Sequence, residues 1–243
     1  MQDKIFGRNP VIEAIKNDRE IDKILIKKGG IEGSINVIIK MAKDKGIIVS
    51  EVEKQKLDLL SDGENHQGVI AFAATHEYST VKAILQGAKE KGHPPFVIIC
   101  DKITDPHNLG SIIRTANCVG ADGIIIPKRN SVGLNMIVAK TSAGAVEYTP
   151  VAKVTNIART IDELKEEGMW IAGADMDGDE MGKTDLKGSI GLVIGSEGEG
   201  ISRLVKEKCD FIVRIPMQGQ INSLNASVAA GVLMYEVLRQ RNQ

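Results

Sequence analysis

Three stretches of the sequence combine short polar side chains with glycines and helix starts, a composition typical of ligand-binding loops. The last of them, residues 215–232, passes from a β-type run through a polar loop into a helix. We expect this helix to open at Asn222 or Ser223 and to end near Arg239. Ser223 and Asn225 would lie beside free backbone N–H groups, where such side chains either cap the helix or hold a polar ligand.

A second loop of this kind follows an apolar strand that ends at Ile194. Three glycines there surround two carboxylates, Glu197 and Glu199. A strand, a Gly-rich turn and a helix, in this order, form ligand sites at the carboxyl ends of parallel sheets. The glycine spacing differs from that of a dinucleotide fold, and the Lys-Ser/Thr pair of a P-loop is absent. The glycines therefore indicate either close backbone approach to a ligand other than a polyphosphate or a plain tight turn.

The third stretch, residues 101–116, follows an apolar strand and continues into a helix that starts near Asn108. Arg114 falls on a different face of this helix from the apolar residues, so it either binds an anion or is simply solvated. The apolar residues recur at helical spacing and are predicted to face the core; they are Leu109, Ile112, Ile113 and Ala116.

In order and spacing, residues 108–116, 192–200 and 215–227 resemble the three motifs of the SpoU (TrmH-like) RNA ribose 2′-O-methyltransferases. The resemblance covers about residues 95–243. It implies an α/β protein whose carboxyl-terminal part is a trefoil-knotted SPOUT methyltransferase domain with a parallel sheet. It also implies S-adenosylmethionine as cofactor, RNA as substrate and a homodimer.

By the same resemblance, five residues are carried over as catalytic. Arg114 is the proposed base or activator of the ribose hydroxyl, although a guanidinium that stays protonated serves more easily as a clamp on the neighbouring phosphate. Asn108 would orient the nucleotide or Arg114, and Glu197 would anchor Arg114 or a substrate donor. Ser223 and Asn225 would fix their own loop and the ribose.

The resemblance places the cofactor among Gly195, Ile215 and Leu224, held largely by backbone groups, with the strand end at residues 172–174, including Ala174, lining the same pocket. A side chain added at Gly195 is expected to enter that pocket. No His, Cys or carboxylate spacing indicates a metal site, and the implied chemistry does not need one.

Composition and charge narrow the classes of protein to which this chain can belong. With 42% hydrophobic residues in 243, the chain can form a packed core, and 3% aromatic residues disfavours a single-strand binder that relies on base stacking. The net charge of −1 means that RNA would have to be bound by local patches. Without a signal-peptide pattern, a long apolar run or paired cysteines, we expect a cytoplasmic protein with no membrane segment.

Residues 1–76 read as a small α/β sandwich that resembles the RNA-binding domain fused ahead of SpoU enzymes, through residues 6–10 and 66–69. Its RNA affinity would come from an edge that carries Arg8, Lys27 and Lys28, unless these side chains are merely solvated. Residues 77–95 are either a linker or the first helix of the methyltransferase domain, which is assigned to residues 96–243.

Strands and helices alternate in the second region, as in a parallel sheet covered on both faces. Strands are predicted near 96–100, 123–126, 146–150, 169–174, 191–195 and 211–215. Helices are predicted near 109–119, 133–141, 154–167, 200–207 and 223–239.

The expected activity is methylation of a ribose 2′-OH, most specifically of a guanosine in large-subunit rRNA. A tRNA 2′-O-methyltransferase is one alternative. A non-catalytic RNA-binding or ribosome-assembly factor is another, although Asn108, Arg114, Glu197, Ser223 and Asn225 are all present and a decayed site should have lost some of them.

Overall fold

The computed structural model describes residues 3–30, 32–74, 76–220 and 223–243. The chain divides into two compact units. The first consists of residues 1–77 with the short segment 133–136, and the second of residues 78–132 and 137–243. Asn222, one of the two predicted helix starts, lies outside the described residues.

The first unit is a four-stranded sheet with helices on both faces. Its elements are β1 (Asp3–Phe6), α1 (Arg8–Lys16), β2 (Ile21–Lys27), α2 (Ser34–Asp44), β3 (Ile48–Val52), α3 (Lys54–Ser61) and β4 (Val69–Ala73). The strand order is β1-β4-β2-β3, with β2 and β3 parallel and the other pairs antiparallel. This layered arrangement agrees with the predicted α/β sandwich, but β1 was not predicted.

Alternation along β4 explains the two cores of the first unit. Val69 and Ala71 pack with α1 and α2, whereas Ile70 and Phe72 pack with Leu57 of α3 on the opposite face. Successive strand residues point to opposite faces of a sheet, so one short apolar strand can serve both layers.

The second unit contains a six-stranded sheet and its covering helices. Its elements are α4 (Val81–Lys91), β5 (Phe96–Cys100), α5 (Pro106–Cys118), β6 (Gly123–Pro127), α6 (Met136–Thr141), β7 (Val151–Val154), α7 (Ile157–Glu166), β8 (Trp170–Glu180), β9 (Ile190–Ile194), α8 (Arg203–Lys208), β10 (Phe211–Arg214) and α9 (Ala226–Arg241). Two short 3₁₀ turns, Ala145–Glu147 and Met181–Lys183, complete it.

The strands of this sheet are all parallel, in the order β10-β8-β9-β5-β6-β7. Every residue of β5, β6 and β9 is buried, as expected for a parallel sheet covered on both faces. The predicted parallel α/β architecture is therefore confirmed, whereas the trefoil knot stays a prediction. Helix α4 contributes Ile84 and Leu85 to the core of this unit, which favours the first-helix alternative for residues 81–91 over a linker.

Several sequence-based boundaries are wrong. The helices expected to start near 133, 154 and 200 each start three residues later, at Met136, Ile157 and Arg203. The strand expected at 146–150 lies at Val151–Val154, because Ala143 and Gly144 adopt positive φ and start a 3₁₀ turn where the β-type residues stand. Strand β8 continues to Glu180 rather than ending at 174. Helix α9 starts at Ala226 and not at Ser223. No helix among the described residues is long and apolar enough to cross a membrane.

Candidate active site

The order of the strands brings the predicted motifs together at one edge of the second sheet, the edge formed by the carboxyl ends of its strands. From β5 the chain adds β6 and β7 on one side, while β9, β8 and β10 lie on the other, so the direction reverses between β5 and β9. Ligands of open parallel sheets bind at the carboxyl ends of strands near such a reversal. The loops after β5, β9 and β10, which carry the three motifs, all leave from this edge.

A cavity of about 610 Å³ opens between the loops after β9 and β10 and the end of β8. All four residues predicted to bind the cofactor line it, and so do three of the five predicted catalytic residues, Glu197, Ser223 and Asn225. The lining residues are Ala174, Asp175, Met176, Ile194, Gly195, Ser196, Glu197, Gly198, Glu199, Gly200, Val213, Arg214, Ile215, Met217, Ser223, Leu224, Asn225, Ala226, Ala229 and Leu233.

Asn108, Glu197 and Asn225, one from each motif, form a hydrogen-bonded cluster at this edge. The Asn108 amide donates to Glu197 Oε1 at 2.9 Å, and the Asn225 amide donates to Asn108 Oδ1 at 2.9 Å and also to Glu197 Oε1. Asn108 is buried, so its amide needs these partners. The cluster therefore fixes the direction of the Glu197 carboxylate at the wall of the cavity.

Asn225 also caps helix α9, one of the two roles that the sequence left open for it. Its Oδ1 accepts from the backbone N–H groups of Ser227 at 3.0 Å and Val228 at 3.3 Å. Because the oxygen faces the helix, the amide nitrogen must face Glu197, so the two roles specify a single side-chain orientation. Ser223 is exposed and lies on the cavity wall, two residues before the cap.

The Gly-rich loop closes tightly on itself. Ser196 and Gly200 exchange backbone hydrogen bonds of 3.1 and 3.0 Å, and a Cβ on Gly195 would lie 2.1 Å from the carbonyl carbon of Gly200. A side chain at Gly195 would therefore collide with its own loop, and the expectation that it would enter the pocket is wrong. Buried Asp101, after β5, supports the end of this loop by accepting from the Ser202 N–H at 2.7 Å.

Arg114 does not join the cluster. It lies on α5, six residues after Asn108, is exposed, and makes no hydrogen bond or ion pair within the described ranges. Glu197 accepts from the two asparagines instead, so the expected contact between Glu197 and Arg114 is not made within this chain. Six helical residues correspond to a rotation of about 240° from Asn108, which explains the separation.

A bulge in β8 forms one wall of the cavity. Ala172 and Gly173 pair with Phe211 and Ile212 of β10, but the next residue of β10 pairs with Asp179, so residues 174–178 loop out of the ladder. Within this bulge, Ala174, Asp175 and Met176 line the cavity. This local departure from the ladder brings side chains into the cavity that a regular strand would not.

Asp175 in this bulge forms an ion pair with Lys206 at 3.0 Å. Burial raises the pKa of the carboxyl, but the hydrogen bonds from Lys206 and from the Asp177 N–H, together with the Lys206 charge, outweigh it and hold the pKa of Asp175 below its ordinary value. The same contacts with Asp175 and Asp177 raise the pKa of Lys206. Asp175 is thus an ionised wall residue whose charge is already compensated.

Sequence reasoning missed Asp101 and Asp175. Both directly follow residues assigned to strands that end at this edge, so the rule used for the other loops would have found them. For Asp175 the expected strand end at 174 pointed to the right position, although nothing in the sequence indicates that a bulge follows there.

The profile of the SpoU rRNA Methylase family matches residues 95–235. The chain belongs to this family. A second profile, described as RNA 2′-O ribose methyltransferase substrate binding, matches residues 4–79. The family resemblance is therefore confirmed, and the subgroup that acts on a large-subunit guanosine stays a prediction.

Individual members of the family agree with this assignment. The chain is 50% identical over 241 residues to "Putative TrmH family tRNA/rRNA methyltransferase YacO" of Bacillus subtilis (strain 168), covering 99% of this chain and 96% of that protein. The SpoU methyltransferase AviRb from Streptomyces viridochromogenes, solved with the cofactor AdoMet, has a TM-score of 0.63 at 23% identity over 98% of this chain and 90% of its own. A solved structure described as an RNA 2′-O ribose methyltransferase has a TM-score of 0.58 at 25% identity. The match covers 99% of this chain and 89% of that one.

Proposed function

We propose that this SpoU family chain transfers the methyl group of S-adenosylmethionine to the ribose 2′-OH of a guanosine in large-subunit rRNA. The observation that carries the proposal is the cavity at the carboxyl edge of β8, β9 and β10, to whose wall the cluster of Asn108, Glu197 and Asn225 fixes a carboxylate. RNA ribose methylation is the activity of the family, and the choice of rRNA is the finer step.

The cavity fits S-adenosylmethionine in size and in the chemistry of its walls. Its volume of about 610 Å³ lies within the ~300–1,000 Å³ of small-molecule sites. Asp175 and Glu199 are ion-paired, but Glu197 is held by neutral amides, so its carboxylate suits a ligand that carries sulfonium and ammonium charges. Ile215 and Leu224 supply apolar surface. When bound, this cofactor supplies an electrophilic methyl carbon, which the site must hold in line with the attacking hydroxyl.

The cluster also suggests how the substrate is held. Glu197 Oε1 is occupied by the two asparagine amides, which leaves Oε2 to accept a hydrogen bond from the substrate. We assign this acceptor to the target ribose. Ser223, exposed on the same wall, supplies a second hydroxyl partner. Arg114 stays protonated, so its role is to clamp the phosphate beside the ribose while that phosphate or a water takes the proton.

The homodimer belongs to the same proposal. Helix α9 buries Leu233, Met234 and Val237 on one face. On another face it exposes Val228 and Tyr235 to solvent. A helix that is apolar on more than one face is typically covered on more than one face. A second copy of the chain is the proposed cover. Light scattering checks this, and Tyr235→Glu is expected to give monomers.

The two units are proposed to have different roles: the first supplies affinity for RNA, and the second binds the cofactor and transfers the methyl group. A truncated protein that begins at Tyr78 retains Ser79, whose N–H donates to the Val151 carbonyl at 2.8 Å. We expect it to bind S-adenosylmethionine like the full chain but to methylate rRNA with at least tenfold lower kcat/KM, about 1.4 kcal/mol of lost substrate binding. Equal kcat/KM for the two proteins would refute the division.

The decisive experiment combines binding with transfer. Calorimetry measures the affinity of the full chain for S-adenosylmethionine, and labelled cofactor is then supplied with in vitro transcripts of large-subunit rRNA or tRNA. Label on a guanosine 2′-oxygen of rRNA supports the proposal. Label on tRNA alone would keep the reaction and replace the substrate, an outcome with which the name of the Bacillus subtilis relative is compatible. Binding without transfer to either RNA would favour the non-catalytic alternative.

A further inference from the structure

The first unit has a cavity of its own, of about 1,050 Å³, lined by loops at one end of its sheet. Three cations line it, Arg8, Lys27 and Lys54. The two lysines make no ion pair within the described ranges, and the terminal nitrogens of Arg8 make no hydrogen bond there. Lys28, which the sequence grouped with Arg8 and Lys27, pairs with Glu53 at 3.3 Å and does not line the cavity.

Arg8 is held in a fixed direction by the turn opposite it. Its Nε donates to the backbone carbonyl of Gln67 at 3.1 Å, and its backbone N–H donates to the Gln67 side-chain carbonyl at 3.1 Å. A guanidinium anchored through Nε keeps both terminal NH₂ groups free in one plane, the fork that binds a phosphate through two parallel bonds. The side chain is therefore ordered before any ligand arrives.

The turn that holds Arg8 is itself held by side chains. Gln67 and Gly68 both have positive φ, 48° and 82°, which is costly for a non-glycine residue unless other contacts impose it. His66 Nδ1 accepts from the Gly68 N–H at 3.0 Å, so Nε2 carries the proton and donates to Asp58 Oδ1 at 2.9 Å. His66 is buried, and its hydrogen bond is the main cause that lowers the pKa of Asp58.

Three exposed carboxylates share the cavity with the three cations, those of Glu32, Glu64 and Asp58. These carboxylates would repel phosphate groups, so they disfavour the binding of several adjacent phosphates. A carboxylate does accept hydrogen bonds from the amino group of a base. The mixture of cations and carboxylates thus suits one nucleotide, with a phosphate at the cations and a base at the carboxylates.

We propose that this cavity binds a single nucleotide of the substrate RNA through its phosphodiester, with Arg8 as the phosphate ligand and Asp58 and His66 as positioning residues. The proposal rests on the proposed function, since it takes the bound polymer to be RNA. The phosphate would be bound by one arginine, which the surrounding turn orients. The site lies in the cavity of the first unit and is separate from the cavity of the second.

The test is RNA binding by the full chain at several salt concentrations, with in vitro transcribed large-subunit rRNA and tRNA as probes. Arg8→Ala should weaken binding about tenfold and reduce the slope of log K against log salt by about 0.7–0.9, the loss of one phosphate contact. Arg8→Lys should restore the slope but not the affinity, because a point charge lacks the fork. Lys16→Ala, which removes a cation from the same helix outside the cavity, should leave the slope unchanged.

The role of the positioning residues is tested by comparing RNA affinity with melting temperature, because a purely structural role would change both together. Asp58→Ala should weaken RNA binding without lowering the melting temperature in proportion, and Asp58→Asn, whose Oδ1 can still accept from His66, should recover most of the affinity. Loss of affinity that merely follows melting temperature in both variants would overturn the positioning role.

Failure of this site and failure of the proposed function are distinguishable. If the full chain binds RNA in an Arg8-dependent way but transfers no methyl group, the activity is wrong and the site stands. If it methylates RNA with the same KM in wild type and Arg8→Ala, the site is wrong and the activity stands. A wild-type chain that binds neither RNA would overturn the site.

Discussion

The two cavities differ in whether their charged groups already have protein partners. In the cavity of the second unit every charged lining residue has a protein partner. In the cavity of the first unit, the terminal nitrogens of Arg8 and the ammonium group of Lys27 have none within the described ranges, while Lys54 acts electrostatically on Asp58. The engaged pairs of the second cavity are Asp175 with Lys206, Glu197 with the two asparagines, Glu199 with Lys102, and Arg214 with Glu180.

This difference indicates two modes of binding. A cavity whose charges are compensated has little net charge to offer, so its ligand is held by backbone groups, apolar surface and shape. A cavity with spare cations attracts a charged polymer, and its affinity must fall with salt. The contrast predicts salt-dependent RNA binding in the first unit and nearly salt-independent cofactor binding in the second.

The largest effect is expected at Arg114, whose loss should separate chemistry from cofactor binding. Arg114→Ala should lower turnover about 100-fold or more, by analogy with removal of one transition-state donor. Because Arg114 is exposed and without a partner within the described ranges, cofactor affinity and melting temperature should not change. Arg114→Lys should fail as well. Single-turnover kinetics with calorimetry checks this, and a lysine variant with most of its activity would exclude the clamp.

Gly195 tests whether shape governs the second cavity. In Gly195→Val the added Cβ would collide with the Gly200 backbone, so the loop must move, and cofactor affinity should fall at least tenfold with a lower melting temperature. RNA affinity should persist. The control is Gly123→Ala, whose Cβ would lie 2.6 Å from the Ile84 side chain. It should cost about 1–3 kcal/mol of folding free energy with no selective loss of cofactor. If folded Gly195→Val bound the cofactor normally, the cofactor would not occupy this cavity.

A smaller effect, on stability, is expected at Asn225, where cap and cluster can be separated. Asn225→Ala removes the cap and a partner of buried Asn108, and should cost about 1–2 kcal/mol in urea unfolding. Asn225→Asp keeps the capping oxygen but sets a second carboxylate beside Glu197. We expect a stability below that of wild type, because the cluster is lost and two carboxylates repel each other. Wild-type stability would mean that the cluster contributes nothing.

The smallest effect concerns acid stability. The pKa of Asp175 is held below its ordinary 3.8 in the folded protein, so its ionised form stabilises the fold above that pH, and this contribution is lost as pH falls through the folded pKa. Lys206→Met should remove the partner and let burial raise the pKa of Asp175. Acid unfolding should then begin at higher pH than in wild type. The control is Lys208→Met, on the same helix as Lys206, which breaks an ion pair with Asp162 of α7 and should shift the acid midpoint less.

The sequence predicted those parts of the site that depend on local pattern. Apolar runs placed β5 and β9, and their ends gave the loops that hold Asn108 and Glu197, because a fully buried parallel strand has few alternatives. The contact among Asn108, Glu197 and Asn225 could not be read this way. It joins residues 117 and 28 positions apart, and only the strand order brings them together.

The errors have physical causes as well. Ser223 and Asn225 are equally good caps by residue type, and the choice fell to Asn225 because its amide has two further acceptors in Asn108 and Glu197. In the first unit, Arg8 and Lys27 could be suspected from charge alone. The strained turn at Gln67 that orders Arg8 leaves no periodic signal in the sequence.

The bulge at residues 174–178 has a consequence for how this fold can vary. Strand pairing is intact on both sides of it, at Ala172 and Gly173 before and at Asp179 and Glu180 after. The length of that cavity wall is therefore uncoupled from the register of the sheet. Residues can be inserted, removed or exchanged there while the neighbouring strands keep their partners, which makes this segment the natural place to redesign ligand selectivity without rebuilding the core.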